Sequence, residues 1–167
     1  MAAQVNESRE LFTELLGEVL TVERMLADEV LPALAEQSQD PELREGFEHH
    51  IEETRGQVAN VEEVFSKLGE KATEQPSKTL EALERDYRQT IQEIGPAELG
   101  DCFRTAAAAK TEHLEIAAYT SLITMARAMG EDEIVELLQE NLSQEEETLR
   151  TVEQAAEKLS GQLVAGG

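Results

Sequence analysis

The sequence predicts an all-α fold: a four-helix bundle made of two antiparallel hairpins, with an extra helix in the long connection between them. Three observations carry that expectation. Apolar residues recur every three or four positions along four long stretches of the 167-residue chain. The breaks within each pair of stretches are short, whereas the run from Glu70 to Pro96 between the pairs is long. Aromatic residues make up 4% of the chain and Pro occurs 4 times, too sparse for the turn-dense pattern of a β-sandwich.

The first stripe reads Leu11, Phe12, Leu15, Leu16, Val19, Leu20, Leu26, Val30 and Leu34, and Pro32 is expected to kink or end it near Leu31. Asp40-Pro41 is an N-cap followed by proline at the first helical position, and it opens a stripe from Leu43 through Phe47, Ile51, Val58, Val61 and Phe65 to Leu68. Gly69 fits the position just past that helix. Lys78 to Ile94 is short and highly charged, which predicts a helix lying on the surface, stopped by Gly95-Pro96. Ala97 to Met129 is apolar nearly all round after Phe103 and should be the most buried helix, closed by Gly130. Ile134, Val135, Leu138, Leu142, Leu149, Val152, Ala156 and Leu159 mark the fourth. The chain therefore reads as one domain over residues 1–160, with a flexible tail at 161–167. Two hairpins joined by a long crossover are the ferritin-like form of the four-helix bundle.

Composition removes several function classes. With 14 basic against 36 acidic residues the net charge is −22, which opposes nucleic-acid binding, since that affinity rests on neutralising phosphates. No apolar run is long enough to span a bilayer, so neither a membrane nor a nucleic acid is an expected partner. A single cysteine, Cys102, excludes an internal disulfide framework and suits a cytoplasmic setting. Most of the acid excess reads as a solvated face.

The informative carboxylates are those lying on apolar stripes, where an unpaired charge costs several kcal/mol. Glu23 falls between Leu20 and Leu26, Glu145 between Leu142 and Leu149, and Glu112 and Glu115 interrupt an alanine- and leucine-rich run. On the second stripe His50 follows Phe47, with Glu53 and Gln57 at the border. Glu23 and Glu53 are 30 residues apart, as are Glu115 and Glu145, so both pairs should lie at similar depths of their hairpins. Such a bundle would bring four carboxylates together, and a pair of divalent metals is the usual means of holding them. The i, i+3 pairs His50–Glu53 and Glu112–Glu115 share helix faces and are set to chelate. Each of these residues also has a plainer reading: Glu23 in a salt bridge with a neighbouring Arg, Glu145 as part of the acidic run Glu145 to Glu147, His50 as a satisfied core histidine. His49 should be exposed, His113 reads as an outer neighbour of the acids, Cys102 as a small buried residue, and Tyr119 as either a packing tyrosine or a hydrogen-bond donor to the site.

At these residues the chain resembles the YciE/YciF-like stress-protein family of the ferritin-like superfamily. The resemblance runs over about residues 7 to 158, through LFTELLGEVLTVERML, HHIEETRGQVANVEEVF, AAAAKTEHLEIAAYTSL and LLQENLSQEE. Its most specific string spans Lys110 to Tyr119. The resemblance implies a ferritin-like fold, a small non-cage assembly such as a homodimer, and a carboxylate-rich di-metal centre; it implies no particular reaction. One departure from the wider superfamily is plain. Glu-x-x-His does not occur: Arg55 stands three residues after Glu52, and Thr148 three after Glu145. His50 and Glu112 are then expected to complete a set begun by Glu23, Glu53, Glu115 and Glu145, around two divalent ions, with iron favoured by the oxygen-rich donors and manganese or zinc as other occupants. The rival expectation is a non-enzymatic helical interaction or dimerisation protein whose metal site is vestigial. Iron storage in a cage has no support in the sequence.

Overall fold

The computed structural model describes residues 7–165, and among them there are helices and turns but no strand. Helix α1 spans Ser8–Met25, a wide helical turn occupies Leu26–Val30, and α2 spans Leu31–Gln37. Then come α3 (Pro41–Lys67), α4 (Lys78–Ile91), α5 (Ala97–Met129) and α6 (Asp132–Ala165). The rod formed by α1 and α2 pairs with α3, α3 with α6, α6 with α5, and α5 with α1, which closes a four-membered ring; α4 lies against α5. This is the expected ferritin-like bundle with its crossover helix.

Local chemistry sets most of the boundaries. The Asp40 side chain accepts from the Leu43 amide at 2.9 Å, opening α3. Gly69 adopts φ 70°, and the Glu70 amide returns to the Phe65 carbonyl at 2.9 Å, a six-to-one closure that needs a left-handed residue. Gly130 does the same for α5 at φ 77°. The regular α-helix is interrupted just before Pro32, near Leu31 as expected, although helical turns continue on both sides. The proline ring lacks an N–H and would strike the carbonyl four residues back. The chain resolves this beforehand with the wide turn, in which the Leu31 amide donates to the Leu26 carbonyl five residues earlier. Residues 161–165 continue α6, held by buried Leu159 and half-buried Leu163; residues 166 and 167 lie outside the described part.

Two contacts fix the long connections. Asp101 is buried on α5 and accepts from the amides of Gln39 and Asp40 at 3.0 and 2.8 Å, so it pins the α2–α3 turn; Arg104 completes the pair at 2.9 Å. The crossover segment lies on α1 where Gly17 leaves room. The Gln75 amide donates to the Gly17 carbonyl at 3.0 Å, and Thr21 Oγ1 donates to the Gln75 carbonyl at 2.7 Å. A Cβ at position 17 would stand 2.6 Å from the Thr73 carbonyl oxygen.

The core comes in two parts. One, at the α5–α6 turn end, gathers Phe12, Leu16, Leu20, Val61, Phe65, Leu122 and Leu138. The other gathers Leu26, Leu34, Phe47, Leu80, Ala108 and Val152. Every long helix passes from one apolar cluster to the other, and each carries buried polar residues in the interval between them.

Candidate metal centre

That interval forms a polar layer. On α1 it holds Glu23; on α3 His50, Thr54 and Gln57; on α5 Glu112 and Glu115; on α6 Asn141 and Glu145, all buried. Helical phase selects these residues from their acidic neighbours. Glu145 is fully buried while Glu146 and Glu147, in the same run, are exposed. Arg24, the neighbour that offered Glu23 a salt bridge, pairs instead with Glu62 and Glu74.

Two triads emerge, and they share one carboxylate. Donor atoms of His50, Glu112 and Glu145 lie within 4.8 Å of one another, and so do those of Glu23, Glu115 and Glu145. His50 Nε2 stands 3.3 Å from Glu112 Oε1. Glu53, the remaining expected ligand, belongs to neither triad. Its side chain is 29% exposed, with one oxygen 3.7 Å from His50 Nδ1 and the other 3.4 Å from His49 Nε2. His49 is exposed as expected, whereas His113 faces solvent and takes no part in the layer. Cys102 is half-buried beside the second apolar cluster.

The layer's hydrogen bonding is incomplete in a way that suits a cation. Among the described residues, Glu23 Oε2, Glu112 Oε2 and both oxygens of Glu115 and of Glu145 are buried without a hydrogen-bond donor. Buried polar atoms are normally paired, since each orphan costs about 1–3 kcal/mol or more if charged. Carboxylate oxygens converging from three helices without protein donors, beside an imidazole from a fourth, have the chemistry of ligands. The residues present therefore fit a metal ion: by composition and geometry this cluster could hold one.

Electrostatics point the same way. Burial pushes Glu23 up to about 8 against the opposing pull of the Tyr119 hydroxyl and of His50. Burial, reinforced by the surrounding carboxylates, holds Glu115 and Glu145 well above the ordinary range. For His50 burial favours the neutral ring, but contacts with Glu112 and Glu53 and the charge of Glu23 outweigh it and raise the imidazole to about 9. Burial thus favours the protonated carboxyls, and a divalent cation would have to displace those protons.

A supporting network runs along one side. The Tyr119 hydroxyl donates to Glu23 Oε1 and accepts from Asn141 Nδ2 at 3.0 Å; Asn141 also donates to the Gln57 carbonyl at 3.2 Å and accepts from Asn60 Nδ2 at 2.7 Å. The Thr54 hydroxyl donates to the His50 carbonyl at 2.8 Å. Tyr119 is therefore a packed, fully buried residue and a hydrogen-bond donor at once. Asn141 and Thr54 were not singled out by the sequence. The available signal was spacing, since Asn141 lies one turn before Glu145 and Thr54 one turn after His50 on the same faces.

Comparison with known proteins agrees with this architecture. Residues 7–165 match the family described as "Domain of unknown function (DUF892)". Protein YciF of Escherichia coli is 31% identical over 140 residues, covering 83% of this chain and 84% of that one. The crystal structure of the E. coli stress protein YciF superposes with a TM-score of 0.88 at 28% identity, over 94% of this chain and 99% of that one. YcfI from Rhodopseudomonas palustris gives 0.88 at 29% identity over 92% and 97%, and a Xanthomonas campestris protein gives 0.71 at 26% over 95% of each. The chain belongs to the DUF892 family, the YciF-like group of ferritin-like helical bundles.

Proposed function

We propose that this protein is a di-metal carboxylate protein of the stress response, with iron as the occupant, working as a cytoplasmic homodimer in dioxygen, peroxide or iron handling. The observation that carries the reading is the set of donor-less oxygens on Glu23, Glu112, Glu115 and Glu145, closed inside a bundle and shared between two triads. A lone purpose of packing would favour leucine at each of these positions, because burying a carboxylate without compensation is unfavourable by several kcal/mol. The stress role rests on the description of the E. coli relative as a stress protein.

Each residue has a task in this reading. Glu145 would bridge the two triads; His50 and Glu112 would complete one position, Glu23 and Glu115 the other. Tyr119 occupies Glu23 Oε1, so Oε2 would be the oxygen free to hold an ion, while Asn141 keeps the phenol oriented. Glu53 would stand as the outer ionic neighbour of His50 on its Nδ1 side, 3.7 Å away, while Nε2 faces Glu112. A bound metal pair would supply Lewis acidity and, with iron, one-electron redox capacity.

The test is metal content after anaerobic loading with ferrous iron, in the wild type and in a Glu23→Gln, Glu145→Gln variant. The expected result is about two ions per chain, as in other carboxylate bundles, lost in the variant while helicity is kept. Absence of metal from a folded wild type would overturn the reading and leave the helical interaction protein in its place.

A further inference from the structure

The wide turn Leu26–Val30, the crossover helix α4 and the first half of α5 line a cavity of about 40 Å³ that opens to solvent on one side. Leu26, Leu34, Leu80, Leu83, Phe103 and Ala108 form its wall. At its inner end lies Glu112, the carboxylate that joins His50 and Glu145 in one triad. Its outer end is bordered by Glu84, Asp86 and Lys110, where Lys110 Nζ stands 3.3 Å from Asp86 Oδ2. Tyr87 and Phe103 stack with centroids 5.7 Å apart and planes within 1°, fastening α4 to α5 along this wall.

Size and polarity decide the guest. An apolar cavity of about 150 Å³ stays dry and admits benzene or xenon, whereas a single water needs roughly 10–15 Å³. At about a quarter of the larger volume, this space suits a guest of two or three heavy atoms and excludes an organic ring. Between the mouth and Glu112 the hydroxyls on the wall are already engaged: that of Thr111 donates to the Ala107 carbonyl at 3.3 Å, and that of Tyr87 to Gln37 Oε1 at 3.3 Å, while Glu112 itself keeps an unpaired Oε2. Hydrogen peroxide crossing from mouth to Glu112 would give up its hydrogen bonds, a penalty of several kcal/mol that an apolar diatomic does not meet.

We propose that this cavity is a dioxygen site, delivering dioxygen to the His50–Glu112 side of the centre, so that dioxygen rather than peroxide is the oxidant the protein takes. The inference rests on the metal-centre reading above, and the two are separable. The cavity itself is tested without metal, by locating xenon in gas-pressurised crystals of the wild type and of Ala107→Leu, which adds carbons at a half-buried lining position. The coupling to the centre is tested by stopped-flow mixing of the ferrous-loaded protein with dissolved dioxygen or with hydrogen peroxide. In the dioxygen reaction two ferrous ions give one electron each to one dioxygen, which takes two protons from solvent and leaves as hydrogen peroxide. Xenon is expected at the cavity in the wild type and absent from Ala107→Leu, with ferrous uptake equal in both. Oxidation by dioxygen should slow about tenfold in Ala107→Leu and quicken in Leu83→Ala, with peroxide rates unchanged. Iron taken up by a protein that holds no xenon, or a block that slows both oxidants alike, overturns the proposal and leaves the metal centre standing. Xenon bound in a chain that takes no iron overturns the metal centre, and the delivery role with it.

Discussion

Replacing Glu23 by Gln should stabilise the metal-free protein, and by an amount that grows with pH. Gln keeps the side-chain oxygen that accepts from Tyr119 and removes only the ionisable character of the group. The magnitude follows from linkage. In the folded chain Glu23 titrates at about 8 against an ordinary value of 4.5. A carboxyl whose value is raised by folding contributes stability below 4.5, where both states hold the proton, and loses it as pH climbs toward 8, because the unfolded chain ionises first. The loss is on the order of 1 kcal/mol at pH 5 and on the order of 4 kcal/mol at pH 8. Gln does not titrate, so the variant should match the wild type near pH 4 and exceed it progressively above. At roughly 2–4 °C per kcal/mol for a domain of this size, the difference in Tm at pH 8 is about 10 °C. Circular-dichroism melts in chelator, from pH 4 to pH 8, measure it directly. Anaerobic ferrous ion at a hundredfold excess over Kd should add about 2.7 kcal/mol to the wild type and little to the variant, which narrows the gap at pH 8 and reverses the order near pH 6, where the linkage loss is only about 2 kcal/mol. A stability difference that stays flat across this pH range, or a variant that weakens as pH rises, would refute the assignment of Glu23 as a carboxyl strained by burial and awaiting a cation.

Three further outcomes are expected. Asp101→Ala should cost about 3–5 kcal/mol in denaturant unfolding, because it leaves Arg104 buried without its partner and frees the amides of Gln39 and Asp40. Gly17→Ala should be destabilising by about 1–3 kcal/mol through overlap with Thr73 and Gln75, in spite of the gain of about 1 kcal/mol that alanine brings to a helix; an unchanged midpoint would mean that the crossover segment is not held there. Metal binding at pH 7 should release more than about one proton per chain, since Glu23, Glu115 and Glu145 are raised and must ionise to coordinate. Affinity should accordingly rise with pH, and calorimetry in buffers of different ionisation heat counts the protons.

Much of the fold was legible because its signals are local. Asp40-Pro41, Gly69 and Gly130 act through bonds to residues within a turn, so their effect depends little on the remainder of the chain. Helical phase likewise separated Glu145 from Glu146 and Glu147. What escaped was set by distant partners. Pro32 marked the place of the disturbance, but the form it takes, a wide turn at Leu26–Val30, has no mark of its own in the sequence. Asp101 and Arg104 resemble one more surface ion pair until the α2–α3 turn closes over them. The end of α6 looked free because Gly161 and the glycines beyond it weaken a helix, yet the helix carries on to Ala165 with Leu159 buried. His113 is the converse case: it sits beside the site acids in sequence but about a hundred degrees away on the helix, and that rotation takes it to solvent.

The centre's most consequential feature is where its symmetry fails. Equal spacings of 30 residues imply that Glu53 and Glu145 occupy matching places in the two hairpins. The bundle buries Glu145 completely and leaves Glu53 at its edge, because α3 presents His50 one turn earlier, facing Glu112 across the interior. An imidazole stands in the interior where a strict repeat would put a second carboxylate, and the displaced Glu53 becomes its outer partner. The two positions that share Glu145 are therefore unlike. One offers nitrogen and oxygen donors and opens toward the apolar cavity below Glu112; the other offers oxygen alone and is buttressed by Tyr119 and Asn141. Two ions held there would differ in donor softness and in access, which is the division of labour expected if one position meets the incoming oxidant while the other is kept fixed in a rigid, fully buried frame.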